Sequence, residues 1–555
     1  MARRQADFDL MTSEDTFGKR VRKRIGQLRS EKGTTEGILQ QIADHVVGRG
    51  DFTTERITDH RNDYYIYDTT AINQSNRLVA SMYSILFAGK WFSLGVENPR
   101  VEDDDEVAEW LKDTSLRMLA EISSPSAGFS SAMQEDLKEL VDFGTSAVLV
   151  SDLKKDGLRF QSVPCGQFYV AEDGYGVVDT VYRSYRFTNY QVWQRWGEKI
   201  KDDDAREKLQ TEAETKPDEK REVVHAVQPN NDGLRNMLGS TKPIIGAYVD
   251  IVTGLELEVR FFDEMPIPVS RWERLDGVPY GGSPGRNALP SAMMLNEMER
   301  TTMEQAQKAV SPPVMVPNDG TIVQFDSDPD SVISYTPDVS SQRGSGIEYL
   351  ESRSRFDVSD SAMERRKNDV REAYHASMEE IPNGPYFTAT HVVELSRQAV
   401  KYMGPQLLRY ETEKIAPIIK RVFGVMLRNG KIDPAPLALE GQTLKVNYVS
   451  PSMRASMAEE AESVRKYRLS TIELGGVNPE AMDMLDPEES LRAEAEAYGL
   501  TPGSGGVRNL RDVAAMRQAR NEASQEMEDD QSALEASQIV KNVAPALKAI
   551  DGGAG

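Results

Sequence analysis

The spacing of apolar and polar positions changes several times along the chain, and each change predicts a different kind of element. Apolar residues recur at helical spacing in seven segments and occur in short strand-like runs through residues 145–187 and 222–274. Asp-Gly pairs at 156–157 and 173–174 favour hairpin turns in the first of these two regions. The sequence therefore predicts a mixed α+β fold that contains an antiparallel sheet.

The predicted helices cover residues 70–88, Asp104–Ile122, Ser126–Asp142, 188–221, 288–310, Val358–Met378 and Thr390–Arg428. The predicted strands outside 145–187 are Trp91–Leu94, Val223–Val227, Ile244–Val252, Leu255–Phe262, Ile267–Arg274, Val314–Val316, Thr321–Phe325, Val332–Tyr335 and Leu444–Val449. Gly404-Pro405 and Pro417 predict kinks in the last of these helices. Beyond a flexible joint at 502–506, residues 507–550 predict a helical tail that is either disordered or packed against copies of itself.

The helix predicted at 288–310 follows a turn in which Gly281, Gly282 and Gly285 give the backbone unusual freedom. Pro290 is tolerated only in the first turn of a helix, which predicts a start near Ala288. Its apolar side chains lie on more than one face, since one side carries Leu289, Met293, Met303 and Ala306 and other sides carry Met294, Leu295 and Met298. A helix with this pattern usually has neighbours on more than one face.

Composition places the chain among soluble globular proteins, with 39% hydrophobic and 28% charged residues. Its 555 residues suggest about three or four structural regions. The single cysteine, Cys165, excludes an internal disulfide and a zinc site made of four cysteines. No segment approaches the roughly 20 apolar residues of a membrane span, and the N-terminus lacks the apolar run of a signal peptide, so we expect no membrane association.

The chain is strongly acidic, with a formal net charge of −23. Proteins that grip nucleic acid tightly are basic where they contact phosphate, so an acidic chain either never meets DNA or lets DNA slide past without adhering. A basic cluster at Lys19–Arg24 is an exception, and it predicts either a phosphate-binding arm or a solvated helix face. The absence of interleaved aromatic residues favours the solvated face.

Candidate catalytic chemistry is limited to residues 281–285, which match the G-x-S-x-G nucleophile elbow around Ser283. A serine hydrolase also needs a histidine base, yet only His375 and His391 follow, each within or beside a helical pattern. Pro284 restricts Ser283 to extended geometry, which suits a loop better than a strained turn. The chain has no Walker A loop and no histidines at metal-binding spacing. We therefore predict no catalytic residue, no cofactor and no metal site.

A series of short motifs occurs in a fixed order along the chain. They are Tyr67–Thr70, Trp91–Leu94, Phe143–Ala147, Ser283–Gly285, Leu295-Asn296, Pro312–Gly320, Thr388–Val392, Gly404-Pro405 and Pro417–Phe423. This series resembles the head-to-tail connecting (portal) proteins of short-tailed bacteriophages, and the resemblance covers most of residues 60–525. Each motif is weak singly, and their shared order is the specific part of the resemblance.

The resemblance implies a ring, usually of twelve copies, around a DNA channel. It implies a wing at 1–285 and 391–500, stem helices at 286–310 and 358–379, a clip at 311–357, a tunnel loop at 380–390 and a C-terminal helical crown at 501–555. In the tunnel loop, Asn383, Tyr386 and Phe387 are expected to touch a duplex without a strong ionic trap, the alternative being an ordinary turn between helices. Candidate channel-lining residues on the second stem helix are Arg365, Arg366 and Arg371.

The function implied by the resemblance is not enzymatic. It is a channel at one capsid vertex through which double-stranded DNA is packaged and ejected. The implied partners are further copies of the chain, double-stranded DNA, the major capsid protein, the terminase ATPase and then tail adaptor or tail tube proteins. The implied location is the virion, with assembly in the host cytoplasm. An adaptor or scaffold protein that contacts only other proteins is the alternative, which the acidity also permits.

Overall fold

The computed structural model separates the chain into two compact units, residues 1–450 and 451–555. The structure describes residues 16–48, 66–87, 90–98, 101, 104–154, 157–200, 202–231, 239–317, 331–335, 348–349, 356–375, 403–439, 441, 444–448, 462–473, 491, 513, 515–521 and 525. The second unit contains a helix over residues 462–473 and a shorter one over 515–521. Most of the predicted tail at 507–550 therefore lies outside the described residues.

Ten α-helices are described in the first unit. They are α1 (Phe17–Ile42), α2 (Thr70–Phe87), α3 (Asp105–Ile122), α4 (Phe129–Phe143), α5 (Asn189–Trp196), α6 (Asp203–Thr215), α7 (Pro284–Val310), α8 (Phe356–Ala373), α9 (Gly404–Tyr410) and α10 (Ala416–Arg428). Two π-helical turns, Ala43–Val47 and Glu411–Ile415, extend α1 and join α9 to α10. Among the described residues, none of the helices combines the length and apolar character that a bilayer span requires.

The strands are β1 (Phe92–Val96), β2 (Thr145–Asp152), β3 (Leu158–Val163), β4 (Phe168–Glu172), β5 (Val178–Thr188), β6 (Lys220–Pro229), β7 (Ile244–Asp250), β8 (Glu256–Phe262), β9 (Val269–Arg271), β10 (Glu273–Arg274), β11 (Gly281–Gly282), β12 (Val314–Pro317), β13 (Val332–Tyr335), β14 (Glu348–Tyr349) and β15 (Leu444–Tyr448). Strands β4 to β8 form a five-stranded antiparallel meander, and β3, β2 and β9 form a second antiparallel sheet. The prediction of an antiparallel sheet with hairpins at the Asp-Gly pairs 156–157 and 173–174 is confirmed, because β2 pairs with β3 and β4 pairs with β5 on either side of these positions.

Helix α1 covers one face of the five-stranded sheet. Its buried residues Phe17, Val21 and Ile25 recur at helical spacing and pack against strand residues such as Tyr182. The basic residues predicted at 19–24 fall on the remaining faces, where Lys19, Arg22 and Lys23 are exposed. The basic cluster therefore lies on an exposed face of α1, as both alternatives for it require.

The opposite face of this sheet carries His225 on β6, which is buried against the ring of Tyr248 with the two rings stacked 4.2 Å apart. Burial, together with the nearby guanidinium groups of Arg183, Arg260 and Arg195, lowers the pKa of His225 to about 3. The folded chain therefore keeps this imidazole neutral at pH values where the unfolded chain protonates it.

Acidification is consequently expected to destabilise the fold through His225. The folded pKa is below the unfolded value, so this stabilisation is present above pH 6.5 and is lost as pH falls towards about 3. From about pH 7.5 to about pH 5.5 the expected loss is roughly 1 kcal/mol. Urea unfolding at the two pH values measures it. The variant His225→Leu removes this titration, and an equal pH dependence in the variant would contradict the assignment.

The kinks predicted in the last helix are only partly confirmed. Its first residues, 390–402, lie outside the described residues, and α9 begins at Gly404 with Pro405 in its first turn, where a proline causes no break. The irregularity is the π-helical turn Glu411–Ile415, directly before α10, whose first turn holds Pro417. A π-turn is one of the known ways in which a helix departs from regular geometry.

Candidate functional site

Helices α7 and α8 form the helical hairpin on which the site predictions converge. The two helices pack side by side, and the ammonium group of Lys367 on α8 lies 3.1 Å from Glu299 on α7 and 3.3 Å from Asp68. Burial alone would lower the pKa of Lys367, but its hydrogen bonds to these two carboxylates raise the pKa above its ordinary value. Apolar contacts complete the packing, through the buried side chains of Val370 on α8 and of Tyr374, which directly follows it.

The prediction that α7 starts near Ala288 is wrong. The helix begins at Pro284, because the Ser283 side chain accepts a hydrogen bond from Arg286 N and Pro284 supplies the preset first turn. Pro290 therefore lies in the second turn of the helix, where its exposed ring removes one backbone hydrogen bond. The serine-proline start signal outweighs that loss.

The same geometry removes Ser283 as a nucleophile. Its side chain is buried, its Oγ donates to the carbonyl oxygen of Asp142 at 2.8 Å, and the same Oγ accepts from Arg286 N at 2.9 Å. His375 lies at the end of α8, and His391 lies outside the described residues. Ser283 is therefore a helix cap, and the described residues hold no group of three or more His, Cys, Asp or Glu side chains suited to a metal.

The glycine-rich turn before α7 lies against the end of α4. A Cβ on Gly285 would meet the carbonyl oxygen of Asp142, and a Cβ on Gly281 would meet that of Gly144. Gly281 N also donates to the side-chain oxygen of Thr145 at 2.9 Å. The two sequence motifs at 143–147 and 283–285 thus meet in space, and glycine is needed there because backbone packs directly on backbone.

Asn296 is a positioning residue that the sequence pattern did not reveal, because it lies among the apolar positions of α7. Its side-chain oxygen accepts hydrogen bonds from Tyr67 N at 3.0 Å and Asp68 N at 2.9 Å, and its Nδ2 donates to His45 O at 3.3 Å. One buried amide therefore ties α7 to the start of α2 and to the end of α1.

Several apolar side chains of α7 are exposed in the described chain. Met294 is 52% exposed, Met303 58% and Val310 85%. The predicted multi-sided apolar pattern is thus present, but only the side facing α8 and the body of the first unit is covered within one chain. Exposed apolar residues that follow one helix are typical of a surface that packs against another molecule.

The three candidate arginines all lie on α8. Arg366 pairs with Asp369 at 2.8 Å, Arg371 pairs with Glu364 at 2.8 Å, and Arg365 is exposed. Two of the three charges are therefore balanced by carboxylates of the same helix. The predicted tunnel-loop residues Asn383, Tyr386 and Phe387 lie outside the described residues, as does all of 380–390.

Fold and site together define a structural subunit of mixed α+β fold, in which a helical hairpin exposes apolar side chains. The sequence profile described as "Bacteriophage head to tail connecting protein" matches residues 18–504. The chain belongs to this family, and its role is that of a connector between head and tail, as a component of the virion.

Two relatives cover nearly the whole chain. The portal protein of Salmonella phage epsilon15 is 27% identical over 500 residues, which is 88% of each chain. The probable portal protein of Bordetella phage BPP-1 is 25% identical over 524 residues, covering 88% of this chain and 89% of the relative.

Two solved structures overlap more loosely. A chain in "Neck of empty GTA particle computed with C6 symmetry" is 8% identical, with a TM-score of 0.36 and coverage of 72% of this chain and 86% of that one. A chain in "Virion of native gene transfer agent (GTA) particle" is 10% identical, with a TM-score of 0.37 and coverage of 84% and 94%.

Proposed function

We propose that copies of this chain form a closed ring whose central hole conducts double-stranded DNA into the head during packaging and out of it during ejection. The observation that carries the proposal is that α7 exposes apolar side chains on two opposite sides, Met294 on one and Met303 and Val310 on the other. In a ring each α7 lies between the hairpins of two neighbouring copies, so these side chains become buried. The names of the epsilon15 and BPP-1 relatives support the same role.

The charges of the hairpin suit a channel through which DNA slides. Helix α7 carries acidic Glu297, Glu299 and Glu304 against basic Arg286, Arg300 and Lys308. On α8, Arg366 and Arg371 are paired with carboxylates, which leaves few free cations to hold a phosphate. Each phosphate bound by a free cation would create an energy minimum that the duplex must leave before it can move on. A lining whose positive and negative charges are balanced therefore favours the passage of DNA.

The regional assignment within the ring follows the sequence motifs. The wing is residues 1–285 and 391–500, the stem is 286–310 and 358–379, the clip is 311–357 and the crown is 501–555. The tunnel loop at 380–390 would present Asn383, Tyr386 and Phe387 to the duplex.

The ring of twelve copies would contact the major capsid protein, and the clip would dock the terminase ATPase and later the tail adaptor or tail tube proteins. The chain itself is not an enzyme and is assembled in the host cytoplasm.

Native mass spectrometry and electron microscopy of the purified chain test the proposal. We expect a closed oligomer of one main size with a central hole wide enough for duplex DNA. A compact monomer at every concentration and salt would contradict it. An oligomer without such a hole would instead favour the adaptor or scaffold function.

A charge placed at an exposed apolar position of α7 should prevent assembly. Met294→Glu is expected to leave the single chain folded, because the side chain is already 52% exposed. The substitution should reduce the fraction of chains that are assembled into rings at least ten-fold, because a carboxylate would have to be buried between neighbouring copies. Gln307→Glu adds the same charge at an exposed polar position of α7 and is expected to assemble normally. Native mass spectrometry compares the two, and equal assembly would exclude Met294 from the contact.

A further inference from the structure

Two helices of the first unit lie on opposite faces of the five-stranded sheet. Helix α1 packs on one face, in a cluster that includes Val224 of β6 and Val249 of β7. Helix α6 packs on the other face, in a cluster that includes Val223 of β6 and Tyr248 of β7. Consecutive residues of a strand point to opposite faces of a sheet, so the sheet separates the two helices. Their outward surfaces therefore point away from each other.

The outward surface of α1 is basic. Lys19, Arg22 and Lys23 are exposed, and their spacing of three and four residues places them on one side of the helix. Residues 17–30 include no aspartate or glutamate that could balance them within the helix. Within the part of the chain that the structure describes, none of these three cations has an ion pair, whereas Arg29 on the flank of α1 is paired with Glu222. We call these three residues the basic surface of α1.

The outward surface of α6 is acidic. Leu209 is buried against the sheet, and with 3.6 residues per turn Asp204, Glu207 and Glu214 lie on the opposite side of the helix. All three carboxylates are exposed, and Lys208 lies only at the edge of this side. Over the described residues none of the three has an ion pair, and Glu212, nearer the sheet, is the residue of α6 that pairs with Arg221. We call these three carboxylates the acidic surface of α6.

The placement of the two surfaces suits a closed ring. In a ring each copy presents one surface to the copy before it and a different surface to the copy after it, whereas a two-fold dimer uses the same surface twice. Surfaces on opposite sides of one sheet can meet in the first way. Opposite charges on the two surfaces also disfavour wrong pairings. A chain with a net charge of −23 otherwise repels its own copies, so a basic surface that no carboxylate of the described chain neutralises is available for such a contact.

We propose that the basic surface of α1 docks on the acidic surface of α6 of the next copy in the ring. This contact rests on the ring proposed above, and it is separate from the apolar contact of α7. The occupant is a second copy of this chain rather than DNA, because the complementary surface is present on the opposite face of the same sheet. The basic surface also lacks the interleaved aromatic residues on which bases stack.

Charge reversal on α1 tests the contact. Lys19→Glu combined with Lys23→Glu, the α1 variant, is expected to leave the chain folded, because both side chains are exposed and a carboxylate near a helix N-terminus is favourable. At low salt it should reduce the fraction of chains in rings about ten-fold, because the two surfaces would then repel. Lys154→Glu combined with Lys420→Glu makes the same change in net charge at exposed positions outside both surfaces. This control should assemble as the parent chain does.

Restoring the opposite charges provides the stricter test. Glu207→Lys combined with Glu214→Lys, the α6 variant, should lose rings as the α1 variant does. A chain that carries all four substitutions has the two charges exchanged and should recover its rings. A mixture of the α1 and α6 variants should form rings in which they alternate, because every contact then joins opposite charges. Native mass spectrometry with one variant isotope-labelled identifies these mixed rings.

The outcomes separate this contact from the ring itself. A parent chain that stays monomeric would contradict the ring and this contact together. Rings formed equally well by the parent chain and the α1 variant would overturn the contact alone, as would a folded four-fold variant that recovers no rings. Fluorescence anisotropy with a labelled DNA duplex covers the remaining possibility: unchanged assembly with weakened DNA binding in the α1 variant would overturn the contact and assign the basic surface to phosphate.

Discussion

Replacing Gly144 by alanine is expected to destabilise the first unit by roughly 3 kcal/mol or more. Gly144 ends α4 with a φ of 79°, where a residue with a Cβ costs about 1–2 kcal/mol. The added Cβ would also meet the carbonyl oxygens of Gly282 and Gly281, the latter at 2.6 Å. Both neighbours are backbone atoms at the base of α7, so the strain is relieved only if the helical hairpin shifts.

Gly174→Ala is the matched control for this substitution. Gly174 lies in an exposed turn, a Cβ added there would have no atom within 4 Å, and no positive φ constrains the residue. Its change should alter the free energy of unfolding by no more than about 0.5–1 kcal/mol, and in the stabilising direction. Urea unfolding of both variants, at a chain concentration below assembly, measures the difference. Equal unfolding midpoints would show that the backbone contact between 144 and 281–282 is not close.

The substitution also tests how the hairpin is oriented. Because Gly144 and the glycine-rich turn fix the first residues of α7, a shift at this contact changes the direction of the rest of the helix. We expect Gly144→Ala chains that remain folded to form fewer rings than Gly174→Ala chains. Native mass spectrometry at matched concentration reports this effect separately from the unfolding midpoint.

Periodicity predicted most of the elements because each depends on contacts made locally. Helices α3 and α4 begin within three residues of their predicted starts and end within one residue of their predicted ends. Hairpins at the two Asp-Gly pairs were predicted because turn chemistry acts within a few residues. The start of α7 was predicted four residues too late. Two local signals conflict there, because Pro290 favours a start near Ala288 whereas Ser283 and Pro284 together form a helix cap and first turn.

Features that depend on distant pairing were not predictable from one sequence. Strand β1 pairs with β15, so that Phe92 lies opposite Tyr448, and no periodic pattern specifies a partner so far along the chain. The contact of residues 142–144 with the glycine-rich turn is of the same kind. Asn296 shows what could not be predicted at the site. A helical pattern indicates which face of a helix is buried, but it does not indicate that a buried amide forms hydrogen bonds with two other segments.

Buried charges were the least predictable part of the fold. Lys414, in the π-helical turn before α10, is 0% exposed, and its ammonium group lies 2.9 Å from Asp136, which is also 0% exposed. The Lys414 Nζ donates further to Ser146 O at 2.8 Å and Pro268 O at 3.2 Å. Burial lowers the pKa of Lys414, and the carboxylate of Asp136 opposes that shift. This one side chain therefore joins the π-turn, α4, β2 and the segment before β9.

Lys414→Met is expected to destabilise the first unit by roughly 3–5 kcal/mol, because it leaves the Asp136 carboxylate buried without its cation. Among the described residues, the hydrogen bond from Tyr410 Oη, at 3.0 Å, is the one side-chain contact that would remain to that carboxylate. The carbonyl groups of Ser146 and Pro268 would also lose a donor, which adds to the cost. Urea unfolding below the assembly concentration measures the change, and hydrogen exchange over residues 404–428 should show the loss of protection where the π-turn is held.

Lys420→Met is the control, because it removes the same side chain from an exposed position of α10 and should change stability by no more than about 0.5 kcal/mol. The pair itself is tested by combining Lys414→Met with Asp136→Asn. If the cost arises from an uncompensated buried carboxylate, neutralising Asp136 should recover part of it, so the double variant should be more stable than Lys414→Met alone. Additive losses would instead mean that Lys414 acts through its two carbonyl partners, and that the π-turn is held in place by backbone contacts rather than by the ion pair.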